Sequence, residues 1–160
     1  IFGFVGLVQI VTSYHQHIAR FFNKAWVISL ALVQIAFIYI GANAYAQNVA
    51  YIETEMVQAS RWIAQNTQPD SLIATHDIGA LGYYSNREIV DLAGLITPEV
   101  IPFMHDWIRL ESYLDQEQVD YLMTFPSWYP DLVQGRSIMY STDVEAMVGL
   151  EPMTIYRWNP

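Results

Sequence analysis

Cysteine is absent from all 160 residues. That excludes disulfides, thiolate metal sites and a cysteine nucleophile. Charge is sparse: 14% of residues are charged against 53% hydrophobic, too few charges for a disordered, solvated chain. Basic residues are scarcer still, seven against sixteen acids, and the net charge is −9. This argues against a nucleic-acid partner, because phosphate contacts need clustered Lys and Arg. No Gly-Lys-Ser/Thr phosphate loop, no Gly-x-Ser-x-Gly elbow, no repeat and no low-complexity segment occurs. What remains is length for one domain of ordinary size. The chain begins at Ile1 rather than Met and is expected to be a fragment or a processed product.

The composition divides sharply. Residues 1–46 hold two charges, Arg20 and Lys24, and no acid; residues 47–160 hold all sixteen acids and five arginines, net −11. Such asymmetry points to a membrane anchor followed by an aqueous domain. Residues 25–46 (AWVISLALVQIAFIYIGANAYA) carry no charge. As a helix they extend about 33 Å, against a hydrocarbon core of about 30 Å. Trp26 stands at one end, and Tyr39 and Tyr45 toward the other, as an aromatic belt would have them. Residues 1–11 are apolar but too short to span, and read as the end of a truncated membrane helix. Residues 12–24, with His15, His17, Arg20 and Lys24, read as a loop that the positive-inside rule places in the cytoplasm. The spacing of the two histidines is poor for a metal pair. The competing readings of 25–46 are a buried core helix and a signal peptide, the latter with Gly41-Ala42-Asn43-Ala44 as a small-residue cleavage site.

Beyond the membrane segment, Val49, Ile52, Met56, Ala59 and Ile63 form a helical stripe, with Glu53, Glu55 and Arg61 off it. The turn residues Asn66 to Asp70 end that helix. Short apolar runs at 71–75, 88–92 and 119–125 predict strands. Between them lie a helical turn at 78–84 and a helix over 98–118, started by Thr97-Pro98-Glu99 and interrupted at Pro102. The runs 137–141 and 153–158 predict two antiparallel edge strands. The expected fold is an N-terminal transmembrane helix followed by a small α/β layered domain over 47–160 with a partly parallel sheet.

His76-Asp77 follows the first strand, and open α/β sheets bind ligands at strand carboxyl ends. His76 offers an acid, base or ligand, and Asp77 a sugar contact or a helix cap. Asp91 is a carboxylate inside an apolar strand and needs a partner. Arg87 is about 13 Å away along a strand, so a cross-strand partner or a ligand is expected. Gly79, Gly82 and Gly94 fit loop geometry better than a dinucleotide fingerprint, whose first glycine is missing. His105, Asp106, Glu111, Asp115 and Glu117 read as a solvated helix face, without metal-ligand convergence. No cofactor or metal is expected. Trp107, Trp128, Tyr129 and Trp158 suit the core, sugar stacking or a membrane surface.

Several phrases resemble a known family. They are Trp62-Ile63 with Asn66-Thr67 and Pro69-Asp70; Asp77, Gly79, Gly82 and Tyr83-Tyr84; Val90-Asp91 with Gly94-Leu95; residues 119–132; and residues 153–158. Together they resemble the C-terminal extracytoplasmic module of bacterial polytopic membrane glycosyltransferases of the C-type superfamily, which are similar to dolichyl-phosphate-mannose-protein mannosyltransferases. The resemblance covers most of 50–160. It implies a parent enzyme of the bacterial inner membrane that uses a polyprenyl-phosphate sugar. Its catalytic acid would lie on an early extracytoplasmic loop outside these residues, so no catalytic residue is carried over. Residues 47–160 would be an accessory domain on the extracytoplasmic side. The alternative is a membrane-anchored, non-enzymatic subunit that contacts other membrane proteins. A free hydrolase using His76 and Asp77 lacks a nucleophile motif.

Overall fold

The structure, a computed structural model, describes residues 2–142 and 151–158, with side chains from residue 18 onward. The chain forms two units, Ile1–Gln47 and Asn48–Pro160.

Helix α1 runs without a break from Phe2–Ile52. The expected loop at 12–24 is therefore helical. The physical reason is that residues 7–40 contain neither glycine nor proline, and the first proline of the chain is Pro69. Basic and polar side chains do not by themselves end a helix. From Trp26 to Val49 every side chain is exposed. A core helix would bury at least one face, so the buried-core reading does not hold. One helix is long and apolar enough to cross a membrane.

In the second unit a π-helical segment, Glu53–Val57, joins α1 to α2 (Gln58–Asn66). The added residue per turn rotates the helix face. Ala59 and Ile63 are fully buried as the stripe requires, but Val49 and Ile52 are exposed, and Val57 and Glu55 turn inward instead. α2 ends at the predicted turn, and the chain reverses into β1 (Leu72–Thr75). Then come α3 (Ile78–Tyr84), β2 (Glu88–Asp91), a 3-10 segment (Pro98–Phe103), α4 (Trp107–Gln116) and β3 (Tyr121–Thr124). A 3-10 turn (Pro126–Trp128), α5 (Pro130–Val133), β4 (Ile138–Ser141) and β5 (Thr154–Arg157) complete the unit.

The five strands form one sheet in the order β2-β1-β3-β5-β4. β1 pairs in parallel with β2 and β3, whereas β5 is antiparallel to both β3 and β4. The sheet is therefore mixed and partly parallel. β5 is not an edge strand: it is bonded on both sides, and Thr154, Ile155 and Tyr156 are buried. Only β4 carries the exposed pattern of an edge among the last two strands. The two runs have similar composition, so strand order was not readable from them.

Alternate residues of the strands divide two cores. Ala74, Val90, Leu122 and Tyr156 face Val100, Leu110, Leu114 and Leu132. Ile73, Met123 and Ile155 face Ala59, Ile63 and Leu81. Helices thus cover both faces. The single helix expected over 98–118 is divided at Pro102, with a 3-10 piece before α4. Thr97 stands at the N-cap of the 3-10 piece with Pro98 after it, as expected, but its hydroxyl makes no cap bond and instead accepts the Asp91 N–H at 3.0 Å. The cap of α4 is Asp106, whose Oδ1 accepts the Arg109 N–H at 3.2 Å.

Candidate functional site

β1 has β2 on one side and β3 on the other, with crossovers over opposite faces: α3 belongs to one core and α4 to the other. That makes the carboxyl end of β1 the switch point where open α/β sheets bind ligands. His76 and Asp77 stand there, one and two residues beyond the strand.

The His76 Nδ1 lies 3.2 Å from the Thr124 hydroxyl at the end of β3. That hydroxyl is also 3.2 Å from the Phe125 carbonyl, to which it can donate. Its ring is enclosed by aromatics, with centroids 4.3 Å from Trp128, 5.5 Å from Phe125 and 6.0 Å from Tyr129. Among the described residues the His76 Nε2 is buried without a hydrogen-bond partner. Burial lowers the His76 pKa from its usual 6.5, against the opposing pull of the Asp77 and Asp91 charges. The imidazole is therefore neutral at pH 7. Burial also pushes the Tyr129 phenol up, and the Asp91 charge adds to it. Trp128, over one side of the imidazole, is exposed.

Asp77 has a different role from His76. It caps α3, and its Oδ1 accepts the Gly79 N–H at 3.1 Å. The catalytic arrangement of a hydrolase would need a carboxylate on the imidazole and a nucleophile beside it. Here the Nδ1 partner is a threonine. A carboxylate on the helix N-terminus also occupies the position a phosphate would take, which disfavours a phosphate loop at Gly79 and Gly82.

Asp91 is fully buried at the end of β2, and among the described residues neither Arg87 nor a cross-strand side chain bonds its carboxylate. Its carboxylate accepts the backbone N–H groups of Ala93, Leu95 and Ile96 and shapes the loop after β2. Arg87 reaches away from it. Its guanidinium donates to the carbonyls of Ala64, Thr67 and Ser85, each at 2.9 Å. Gly94 is needed for geometry: its φ is +77°, and a Cβ there would lie 2.5 Å from Ile101 Cγ1. Gly79 and Gly82 have φ values any residue adopts, and a Cβ at either meets only ordinary contacts.

Of the helix-face residues, His105 and the acids of α4 are exposed. Two of those acids are nonetheless engaged. Asp115 accepts the Trp158 indole N–H at 2.8 Å, and Glu111 pairs with Arg136 at 2.8 Å. Trp158 is a core residue, with the Arg136 guanidinium 3.3 Å from its ring centroid. His15 and His17 fall where only the backbone is described. No cluster of three or more metal-ligating side chains exists among the described residues.

The sequence pattern missed Glu55. It is 2% exposed, and its carboxylate accepts the Met153 N–H at 2.8 Å and the Thr142 hydroxyl. The π-helical segment carries it inward, and no spacing rule for a regular helix signals that.

The site defines a class: an α/β domain that follows a helix of membrane-spanning length and bears an aromatic-walled histidine at its switch point. Residues 15–156 match the model of a family described as Domain of unknown function (DUF8728), and the chain belongs to that family. No curated protein and no solved structure matches it.

Proposed function

We propose that this chain is the membrane-tethered accessory module of a bacterial inner-membrane glycosyltransferase that uses a polyprenyl-phosphate sugar. Residues 25–46 span the bilayer, residues 47–160 lie on the extracytoplasmic side, and the catalytic acid comes from outside residues 1–160. Arg20 and Lys24 before the span favour this orientation. The phrases at 62–70, 77–84 and 90–95 support the family resemblance.

The observation that carries the reading is Tyr51 stacked on Phe125 at 6.1 Å, with Phe125 in turn beside His76. Within this unit Tyr51 thus packs at the carboxyl edge of the sheet, beside the switch point. Trp128 offers an open aromatic face on which a pyranose ring stacks, and the buried His76 imidazole lies against it at 4.3 Å and positions it.

The test uses the native protein in its own membrane. Its intact mass is expected to be several times 18.4 kDa. Sugar transfer from a polyprenyl-phosphate donor is expected to fall at least tenfold in Trp128→Ala and His76→Ala, with the amount of folded protein unchanged. A mass near 18.4 kDa, with partner proteins that co-purify and no donor-dependent transfer, overturns the reading in favour of the anchored subunit.

A further inference from the structure

The second unit has five arginines against sixteen acids. Three of their guanidinium groups are committed: Arg61 pairs with Glu53, Arg136 pairs with Glu111, and Arg87 donates to three carbonyls. Arg109 is different. Among the described residues it is in no ion pair, although α4 itself carries Glu111 and Asp115. The described contact of its guanidinium is the face of Phe103, with Cζ 5.2 Å from the ring centroid. A guanidinium stacked by its face keeps its edge of N–H donors open.

Arg109 lines a cleft of about 250 Å³ between the 3-10 segment and α4, together with Phe103, Ser112, Tyr113 and Gln116. Residues 109, 112, 113 and 116 are spaced so that α4 turns them to one side. Phe103 closes the other side, its ring centroid 5.5 Å from that of Tyr113. Among the described residues the Tyr113 hydroxyl and the Gln116 amide have no hydrogen-bond partner. Ser112 Oγ donates to the Ile108 carbonyl and keeps its lone pairs for another donor. Burial, then the charges of Glu117 and Glu99, push the Tyr113 phenol up from its usual 10.0, so it is a donor at neutral pH. The cleft shares no residue with the aromatic enclosure of His76.

We infer that this cleft is a binding site for a monosaccharide that carries a carboxylate. The carboxylate pairs bidentately with the open edge of Arg109. The ring hydroxyls meet Tyr113, Gln116 and the Ser112 oxygen, and the C–H face of the ring packs against the aromatic wall. Volume decides the size of the ligand: sites for drug-sized molecules run from about 300 to 1,000 Å³, so a cleft of about 250 Å³ takes one sugar ring and not a chain. Charge decides the anion. One guanidinium, with Glu99 and Glu117 acting on the same cleft, suits a single negative charge. A phosphate ester brings about −1.5 to −2. The inference goes beyond the proposed activity and does not depend on it.

The test is calorimetric titration of the full chain in detergent micelles at neutral pH with glucuronate, glucose and glucose 6-phosphate. Saturable binding of glucuronate is expected, at least tenfold tighter than that of either other sugar. Arg109→Gln is expected to weaken it at least tenfold. Arg109→Lys is expected to restore only part, because an ammonium lacks the planar fork. Tyr113→Phe is expected to weaken it at least threefold, and Arg61→Gln, outside the cleft, to leave it unchanged. Urea midpoints equal to that of the parent chain verify that each variant is folded. Should Arg109→Gln lower its midpoint, Tyr113→Phe decides, since it removes one hydroxyl and no described bond. Failure of glucuronate to saturate, equal binding of glucose, or undiminished binding in folded Arg109→Gln or Tyr113→Phe overturns the site. Tighter binding of glucose 6-phosphate overturns the carboxylate assignment. A loss in Arg61→Gln as large as in Arg109→Gln marks a response to overall charge and overturns the inference as well.

Discussion

The two ends of the sheet are held by opposite chemistry. At the carboxyl end, carboxylates meet backbone N–H groups: Asp91 takes those of Ala93, Leu95 and Ile96, Asp77 that of Gly79, Asp106 that of Arg109, and Glu55 that of Met153. At the amino end, guanidinium groups meet carbonyls: Arg87 takes those of Ala64, Thr67 and Ser85, and Arg136 those of Leu132 and Trp158. For the caps Asp77 and Asp106 the cause lies in the topology. Helices that return antiparallel to parallel strands present free N–H groups at the carboxyl edge and free carbonyls at the amino edge. Asp120 at the amino end is the exception in sign, and it serves a strand rather than a helix: it accepts the N–H of Leu72 as β1 begins. Much of the acidity of this domain is thus structural, and a charge count alone misreads it as solvated surface.

Breaking either set of caps measures how much each end contributes. The largest effect is expected at the carboxyl end. Asp91→Ala leaves three N–H donors without their acceptor, each worth about 1–3 kcal/mol when buried. It is expected to destabilise the domain by about 3 kcal/mol or more in urea unfolding followed by tryptophan fluorescence. Asp91→Asn keeps one acceptor oxygen and is expected to lose less. At the amino end, Arg87→Ala removes donors from three carbonyls that water reaches more easily, and is expected to cost about 2 kcal/mol. Arg87→Lys is expected to recover little of it, because an ammonium lacks the planar fork. A cost for Arg87→Ala equal to or above that of Asp91→Ala would reverse the comparison.

Gly94→Ala sharpens it further, because it leaves every cap in place and strains only the loop that Asp91 shapes. A φ of +77° and a Cβ 2.5 Å from Ile101 predict a loss of about 1–3 kcal/mol in the same assay. The next effect is pH dependence. His76 has its pKa lowered in the fold, chiefly by burial. The unfolded chain therefore binds more protons below the usual value of 6.5, and stability falls as pH drops through 6.5 toward the folded-state pKa. Thermal midpoints between pH 5 and pH 7.5 are expected to show this slope, weakened in His76→Gln. The smallest effect belongs to the surface pair Arg61–Glu53, half-exposed on both sides. Arg61→Ala is expected to change stability by less than about 0.5 kcal/mol.

The candidate site was legible in part. His76 and Asp77 follow an apolar strand, and that position alone marked them. Their division of labour was not visible, because it depends on Thr124, 48 residues away, meeting the imidazole. Asp91 was recognisable as a carboxylate in need of partners, but those partners are backbone groups, which no sequence displays. Arg87 was considered for Asp91 by proximity and instead bridges to the end of α2, at Ala64 and Thr67, twenty or more residues earlier in the chain.

The order of elements was equally mixed. Hydrophobic period and turn residues marked the five strands within one or two residues; for the inner strands β1, β3 and β5 the reason is that burial on two faces demands continuous apolar runs. The uncharged stretch 25–46 showed an apolar helix of spanning length, because length and lack of charge are local properties. Three features needed the tertiary structure. The continuous helix through 12–24 reflects an absence of breakers that outweighs polar composition. The inward turn of Glu55 depends on a π-helical register adopted against the sheet. The placing of β5 between β3 and β4 is a choice among apolar strands of like composition, made by long-range pairing. The sequence by itself determined which segments must be buried, since hydrophobicity is carried by each residue. The fold decided which groups meet, since each buried donor and acceptor takes whatever partner the packed chain brings within reach.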